Sequence, residues 1–513
     1  MILDSEARPG SDRGAGNYRQ GISLTMMTEA TAGGTSPSGT ASTTEQPSEE
    51  CENSSLKERI ATFGDETTFH GVRFVTNHQL HFLRRLLWFC IVGGMTGYLI
   101  YGVSVSFITF YQRPVTSVVK INYVRQIPFP TVTFCNYNQW KKSRVPPEFY
   151  DAVRSLNPAN KKPVDMTYLK AHDVTNLTDK LINDTHQIED MLLECTFKEA
   201  NCSAENFTQI ITDFGVCYSF NDDPSNVHYV HQSGSQNALF MKITVEQEEY
   251  IFGENNAAGI KLLVHPQCQR PLVKELGIAV SPGFETLVSV QLKQVVNLKY
   301  PYESNCTDRG NVKYSAEYTV PLCQYEHKIE TVKAKCGCKD MRYPGSENEC
   351  PLSKYSNCLL PAEANFTSED KSFNCPVPCD LTIYDTRMSF AYYPGQHHLE
   401  EIMQQNNLSE NSIRKNVLDL RIFFEELSFQ KIEEIPSYTF YSLQSSIGGY
   451  MGLLIGASLI TLFEFLDFIL VTTTSCLLKH SVLARPRGNR VRGAARQRDR
   501  SSHGEAKPCF IKK

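Results

Sequence analysis

The sequence lacks a strong charge of either sign, a catalytic signature and an early apolar run. Its formal net charge is −5 over 513 residues, so no global basic surface indicates a nucleic-acid partner. It contains no nucleophile–base motif and no metalloprotease signature, so we expect a protein that is not an enzyme. No long apolar run precedes Leu86, so we expect no signal peptide and a first membrane helix that starts translocation itself.

Histidine is scarce where cysteine is abundant. Thirteen of the 17 cysteines lie between Cys135 and Cys379. A Cys-Gly-Cys motif at Cys336, followed by Cys350 and Cys358, has a spacing that could bind zinc. So dense a cysteine block with few histidines instead favours disulfides in an oxidising compartment, and we predict no metal site. Because thirteen is odd, one thiol is left over or pairs between chains, and spacing alone does not fix the pairing.

Sequons for N-linked glycosylation crowd the same region. Their clustering agrees with an extracellular location. The seven candidate asparagines are Asn176, Asn183, Asn201, Asn206, Asn305, Asn365 and Asn407.

Two stretches carry no charge and are long enough to cross a bilayer. Leu86–Tyr111 has 26 uncharged residues, and Thr439–Phe463 is uncharged as well. Arg84 and Arg85 precede the first stretch, and a basic tail follows the second from Lys479 onward. The positive-inside rule then predicts a multi-pass protein of the plasma membrane with both termini in the cytoplasm.

This topology predicts five segments. Residues 1–56 are rich in Ser, Thr, Gly and Glu and are expected to be disordered. The segments are a cytosolic N-terminus at 1–85, a transmembrane helix at 86–111, an extracellular domain at 112–437, a second transmembrane helix at 438–478 and a basic cytosolic tail at 479–513.

The extracellular domain has a mixed pattern that predicts an α+β fold. Ala238–Val245, Ile260–Val264 and Leu287–Leu298 alternate apolar and polar residues or are rich in β-branched residues, which predicts strands. Thr185–Glu194 and Leu399–Gln405 repeat apolar residues at three- and four-residue steps, which predicts helices.

The second uncharged stretch holds small residues and acids that an anchor does not need. Glycines recur every four residues from Gly448 to Gly456 and share one helical face. Glu464 and Asp467 follow three residues apart, and carboxylates at membrane depth are costly unless they face water or a partner. One interpretation is an anchor with a packing face. We favour the other, a pore-lining helix with a constriction at Gly456–Ser458 and a cation-attracting ring of acids below it.

Several short motifs occur in a fixed order between His70 and Asp467. They are His70-Gly71, FPTVTFCN at 129–136, GVCYSFN at 215–221, SPGF at 281–284, the cysteine lattice, and Gly456-Ala457-Ser458 with Glu464 and Asp467. In this order, and between two spans, they resemble the degenerin/epithelial sodium channel family, which includes acid-sensing, peptide-gated and bile-acid-sensitive channels.

The resemblance implies a trimeric membrane protein with two transmembrane helices per subunit. The disulfide-rich, β-containing extracellular domain would be of the palm, thumb and finger type. Partners would be family subunits in a homo- or heterotrimer, membrane lipid and a small extracellular ligand. The implied function is an amiloride-sensitive, sodium-selective cation channel gated by that ligand, with peptide, bile acid and proton all left open. No cofactor is implied; Na⁺ would be the permeant ion, and block by Ca²⁺ is a further expectation.

The resemblance also implies roles for individual residues. The selectivity filter would be Gly456, Ala457 and Ser458, with Glu464 and Asp467 as the pore acids. Gating residues would be His70, Gly71, Ser446, Tyr111 and Tyr302. Cation or proton sensing would fall to Glu248, Glu249, Glu347 and Glu349. The implied disulfides are Cys135–Cys217, Cys195–Cys202, Cys306–Cys379, Cys323–Cys375, Cys336–Cys358 and Cys338–Cys350, which leaves Cys268 unpaired.

The chain departs from acid-sensing members at two positions. Their histidine pair after the first span is replaced by the stretch Tyr111–Pro114, and their aspartate ten residues before the constriction glycine is Ser446. We therefore do not expect proton gating by that mechanism. A hypothesis of another class is a two-span glycosylated scavenger or adhesion receptor without a pore, which would need neither Gly-Ala-Ser nor acids in its second span.

Overall fold

The structure is a computed structural model. It describes residues 56–155, 167, 170, 176–251, 255–308, 310, 312–366, 374–406 and 409–483. The segment predicted to be disordered lies almost wholly outside the described residues, as do most of the basic tail and the glycosylation candidate Asn407. The chain divides into two units, residues 1–67 with 464–513 and residues 68–463, which are described separately.

Strands form the central sheets of the larger unit. They are β1 (Val115–Tyr123), β2 (Ile127–Pro128), β3 (Thr131–Asn136), β4 (Leu192–Phe197), β5 (Ala200–Asn201), β6 (Phe207–Ile211), β7 (Val216–Phe220), β8 (Tyr229–Val230), β9 (Leu239–Thr244), β10 (Ile260–His265), β11 (Ile278–Val280), β12 (Phe284–Val296), β13 (Asp380–Tyr392) and β14 (Val417–Pro436).

Helices lie before, between and after these strands. The α-helices are Leu56–Glu66, Val72–Thr76, Phe82–Gln112, Tyr150–Ser155, Leu177–Asp184, Ile188–Met191, Val273–Leu276, Val320–Cys336, Leu352–Lys354, Leu360–Ala364, Gln396–Asn406, Glu410–Asn416, Phe440–Ile455 and Leu459–Leu483. Shorter 3₁₀ turns occur at Pro147–Phe149, Ala204–Asn206, Ser235–Asn237 and Gln247–Glu249, and a π turn at Tyr355–Leu359.

A seven-stranded sheet is built around β14. Its order is β13-β12-β14-β9-β4-β5, and β1 pairs with the later half of β14. Only the β12–β14 pairing is parallel; the other pairings in this sheet are antiparallel. Leu418, Leu420, Ile422 and Phe424 are each at most 1% exposed, because alternate residues of a strand face the same side and this side packs on the core. Buried residues therefore recur every two positions along β14, the same period that apolar residues show in a sequence that predicts a strand.

A five-stranded sheet packs within the same core. Its order is β11-β10-β3-β7-β6. Every residue of β3 and β7 is buried, so these strands have core on both faces. Cys135 and Cys217 join them by a disulfide, and both cysteines are fully buried.

Six disulfides stabilise the larger unit. They are Cys135–Cys217, Cys195–Cys202, Cys306–Cys379, Cys323–Cys375, Cys336–Cys358 and Cys338–Cys350, the same pairs that the resemblance implies. Among the described cysteines, Cys90 and Cys268 are free, and both are exposed.

One predicted helix is wrong. Thr185–Glu194 contains only the four-residue helix Ile188–Met191, and the chain then enters β4. Pairing of β4 with β9 and the disulfide at Cys195 override the helical spacing of the apolar residues. The predicted helix Leu399–Gln405 is confirmed within Gln396–Asn406, and the three predicted strands correspond to β9, β10 and β12.

Both apolar segments attach to one ladder. β1 pairs with β14 over nine residues, from Val115 opposite Pro436 to Tyr123 opposite Ser428. β1 begins three residues after helix Phe82–Gln112 ends, and β14 ends shortly before helix Phe440–Ile455 begins. The ends of the two apolar segments that adjoin the sheet are therefore held side by side.

Candidate functional site

The second apolar stretch is broken into two helices. Its sequence predicts one helix over 438–478, but the structure has helices Phe440–Ile455 and Leu459–Leu483, and Phe440–Ile455 meets Leu459–Thr474 at a bend of 74°. Helix Phe82–Gln112 is long and apolar enough to cross a membrane, and the bent pair meets the same test when its two helices are taken together. The break falls at Gly456–Ser458, the predicted constriction.

The residues of the Gly-Ala-Ser motif explain the break. Gly456 has φ 64°, a left-handed conformation that ends helices because glycine has no Cβ to clash there. Ser458 begins the next helix: Thr461 N donates to Ser458 Oγ at 3.4 Å, and Ser458 N donates to Thr461 Oγ1 at 3.0 Å. Ala457 between them is only 8% exposed. Glycine ends one helix, and serine caps the next.

The His-Gly motif packs directly on this break. His70 N donates to Ile455 O at 3.0 Å, which satisfies one of the carbonyls that a helix end leaves without an intrahelical partner. A Cβ on Gly456 would lie 1.8 Å from His70 Nδ1, so the imidazole occupies the space that a side chain there would need. Thr68 Oγ1 lies 2.6 Å from Thr461 Oγ1. Two motifs from opposite ends of the chain thus form one contact site.

Gly71 anchors the His-Gly turn on the first apolar helix. It has φ 87°, and a Cβ at this position would come within 2.9 Å of Val92 Cγ2. Only glycine therefore fits both the backbone conformation and the space. Further along the same helix, Gly102 meets the ring of Tyr450 in the same way, with a Cβ distance of 2.9 Å. Gly102 therefore lets the first apolar helix approach helix Phe440–Ile455 closely.

Helix Leu56–Glu66, in the smaller unit, was not predicted. Its Phe63 ring stacks on Phe468 at 4.4 Å and meets Phe465 edge-on at 5.5 Å. Ile60 and Phe63 lie three residues apart, as apolar residues on one helical face do. That spacing could have revealed the helix, although the stretch is too short for the pattern to be strong.

The two pore-acid candidates lie beside this helix. Glu464 and Asp467 line a cavity of about 580 Å³ together with Arg59 and Glu66. Three carboxylates against one guanidinium give this cavity an excess of negative charge. Such an excess raises the local concentration of cations.

The remaining gating candidates, Ser446, Tyr111 and Tyr302, each contact different residues. Tyr438 donates its hydroxyl hydrogen bond to Ser446 Oγ at 2.9 Å. Tyr111 is 71% exposed, and its ring meets Phe110 at 5.8 Å. Tyr302 lies in a turn in which its N–H donates to Lys299 O. Tyr111 and Tyr302 do not form a ring contact with each other within this chain.

The four sensing candidates have four different partners. Glu248 accepts from Asn416 Nδ2 at 2.8 Å, while Glu249 accepts from Ser143 N at 2.8 Å, a bond that holds the pKa of Glu249 below its ordinary value. They lie next to each other in sequence but bind different elements.

Glu347 and Glu349 are likewise bound separately. Glu347 pairs with Lys333 at 2.5 Å, and this bond lowers the pKa of the carboxyl. Glu349 accepts from Thr178 N at 3.0 Å. Among the described residues, no cluster of three or more His, Cys, Asp or Glu side chains could hold a metal ion.

A partly buried acid of this region is Glu246, which no sequence pattern indicated. Its Oε1 lies 2.8 Å from Lys141 Nζ and its Oε2 lies 2.9 Å from His186 Nδ1. Burial alone would raise the pKa of Glu246, but the bonds from His186 and Lys141 hold it below the ordinary value. Glu246 has φ 55°, and nothing in the Glu-Gln-Glu-Glu sequence marks which acid takes this conformation.

Asp419 on β14 is a second buried acid that the sequence did not reveal. It is 6% exposed, and its Oδ1 is buried without a hydrogen-bond partner. The neighbouring cations are engaged elsewhere, since Lys242 pairs with Glu194 at 2.7 Å and Arg421 with Glu285 at 3.0 Å. Burial raises the pKa of Asp419 to about 6.

This shift predicts a pH-dependent stability. The folded state binds the Asp419 proton more tightly than the unfolded state, so stability rises as the pH falls from above 6 toward the unfolded pKa near about 4. Asp419→Asn should raise the melting temperature at pH 7.5 and flatten its change between pH 7.5 and 5. Thermal melts of the purified full chain would test this, with Asp385→Asn, at a half-exposed ion pair with Lys293, as the control. An unchanged pH profile in Asp419→Asn would contradict the assignment.

Comparisons with known proteins agree with the motif pattern. A family model described as amiloride-sensitive sodium channel matches residues 63–468. Acid-sensing ion channel 4-B of Danio rerio is 33% identical over 433 residues, covering 80% of this chain and 75% of the relative. Acid-sensing ion channel 1 of Gallus gallus is 30% identical over 441 residues, covering 80% of this chain and 83% of the relative. A solved structure of a proton-activated chloride channel aligns with a TM-score of only 0.30 and 8% identity over 75% of this chain and 98% of that one, too low to support an argument.

Proposed function

The chain belongs to the amiloride-sensitive sodium channel family, and on that premise we propose that it is a sodium-permeable cation channel of the plasma membrane, opened by a small extracellular ligand. It would assemble as a trimer of family subunits, with both termini in the cytoplasm and the second spans around the pore. Amiloride would block the pore.

The observation that carries this proposal is the contact between the His-Gly turn and the Gly-Ala-Ser break. The break consists of three small residues in a row. In a continuous helix, the backbone groups of these residues would be used in intrahelical hydrogen bonds. In a trimer, three copies of Gly456–Ser458 would form a constriction in which backbone carbonyls and the Ser458 hydroxyl replace part of the ion's water shell. Glu464 and Asp467 would concentrate cations on the cytosolic side.

Opening would require a movement that reaches this constriction. A ligand can shift the channel toward its open state only if it binds that state more tightly. β14 runs without interruption from the core of the extracellular domain to the start of the second span, so it is the direct route for such a movement.

The receptor hypothesis has less support. A two-span glycosylated receptor would need neither the capped break at Gly456–Ser458 nor its contact with His70. The match to the sodium channel family also covers residues 63–468, which include the first apolar helix, both sheets and the break at Gly456–Ser458.

Voltage clamp of cells that express this chain alone would test the proposal. Extracellular Na⁺ would be exchanged for N-methyl-D-glucamine while peptide and bile-acid panels and pH steps are applied. We expect an inward current that disappears without Na⁺, is blocked by amiloride and changes its ion selectivity when Ser458 is replaced by Thr. A chain at the cell surface that stays silent under every stimulus, even with a bulky residue at Ser446, would favour the receptor hypothesis.

A further inference from the structure

A cavity of about 410 Å³ lies where the loop after β10 meets strand β13 and the start of helix Val320–Cys336. Its volume falls within the range of about 300–1,000 Å³ that is typical of small-molecule sites. Apolar side chains dominate its walls, among them Leu272, Leu276, Ile383 and Tyr384. It lies in the extracellular domain, away from the Gly-Ala-Ser break and from the four sensing candidates.

Among the described residues that line this cavity, Arg270 is the only one with a permanently charged side chain. His265 also lines it, but burial lowers the pKa of His265 to about 4, so its imidazole is neutral near pH 7. Its ring nitrogens are already used, with Nε2 at 2.8 Å from Thr133 Oγ1 and Nδ1 at 2.9 Å from Pro266 O. The described lining contains no carboxylate, so within it Arg270 supplies one positive charge in largely apolar surroundings.

The guanidinium of Arg270 has unused donors. Its Nη2 donates to Ile211 O at 3.2 Å, and its Nε is enclosed by protein and out of a ligand's reach, but its Nη1 donates to no described residue. Within the part of the chain that the structure describes, Arg270 forms no ion pair. A planar guanidinium also matches the two oxygens of an acid group, because its donors form a rigid fork.

We propose that this cavity binds an apolar molecule carrying a single carboxylate or sulfonate. The acid group lies on Arg270, and the apolar body packs against Leu276 and Ile383. Because β13 pairs with β12, and β12 with β14, occupancy of the cavity acts on the sheet that leads to the second span. The identification of this molecule as the opening ligand rests on the proposed channel function, whereas binding itself does not.

Binding of 2-naphthoate to the full chain in lipid nanodiscs tests the site. Saturation-transfer NMR at pH 7.4 compares this probe with neutral 2-naphthamide, which has the same ring system, and empty nanodiscs are subtracted. We expect 2-naphthoate to bind at least tenfold more tightly than the amide. Arg270→Gln should remove this difference and leave the amide unchanged. Arg387→Gln, at an arginine that is exposed and outside the cavity, should change neither probe.

A second variant keeps the proposal testable if Arg270→Gln fails to fold. Leu276 is 47% exposed, so Leu276→Trp can fill the cavity from its rim, and it should weaken the binding of both probes. Equal affinities of the two probes, an unchanged affinity in Arg270→Gln, or unchanged binding in Leu276→Trp would overturn the proposal. Current measurements distinguish the binding site from the channel function. Binding that depends on Arg270 without any current would support the site and reject the channel. An amiloride-blocked current without binding would support the channel and reject the site.

Discussion

Gly456→Ala abolishes the sodium-carried current while the protein still reaches the cell surface. Two effects of the added Cβ atom lead to this expectation. A left-handed residue with a Cβ costs about 1–2 kcal/mol, roughly a tenfold change in a conformational equilibrium. The added Cβ would also lie 1.8 Å from His70 Nδ1, so the His-Gly turn must move away from the end of the helix.

The control for this variant is Gly94→Ala. Gly94 lies inside helix Phe82–Gln112, and a Cβ there meets no atom within 4 Å, so the current should remain. Current amplitude per surface-labelled channel is the measurement. A second change, His70→Ala with Gly456→Ala, removes the ring clash but not the backbone strain, and should restore part of the current. Full current in Gly456→Ala alone would show that the break is not part of the conducting structure.

Arg342→Met destabilises the chain more than any surface change. Asp340 is fully buried and lies 2.8 Å from Arg342 Nη2 and 2.8 Å from the hydroxyl of Tyr355. Removing one partner of a buried ion pair costs about 3–5 kcal/mol, because the remaining charge loses its compensation. We expect a large fall in melting temperature, whereas Arg387→Met, which breaks an exposed pair with Glu425, should cost at most about 1 kcal/mol.

The pH dependence of this variant has a definite sign. Burial alone would raise the pKa of Asp340, but the charge and hydrogen bonds of Arg342 hold it below the ordinary value. The contribution of the native pair is therefore present above the unfolded pKa of about 4 and is lost as the pH falls below it. In Arg342→Met only burial remains, so stability should instead increase as the pH falls. Melts from pH 7.5 to 4 that run parallel for both proteins would contradict this account.

Local patterns in the sequence predict local structure well. The alternation of apolar and polar residues predicts strands β9, β10 and β12. One face of each strand packs on the core, so apolar residues must recur every two residues. The two apolar segments follow from the absence of charge. Thr185–Glu194 fails because the pairing of β4 with β9, which no local pattern encodes, outweighs helical spacing.

The site is less predictable because its contacts are long-range. The motifs mark His70 and Gly456 as residues of interest, but nothing in either stretch indicates that one packs on the other. Glycine is tolerated inside membrane helices, so Gly456 alone does not predict a break. Glu246 and Asp419 show the same limit, because whether an acid is exposed or buried depends on strands and loops far away in sequence.

The ladder between β1 and β14 restricts how the channel can move. A slip of one residue would displace the strands by about 3.3 Å and turn every side chain to the opposite face, so the nine pairs resist gradual sliding. The ends of the two apolar segments that adjoin the sheet should therefore move as one rigid unit, and a displacement of β14 should displace both. A rotation of one span relative to the other would have to be absorbed beyond the ladder, where the second apolar segment is interrupted at Gly456–Ser458. We expect this break to be the hinge of such a movement, and the His70 ring, which occupies the space beside Gly456, to limit its range.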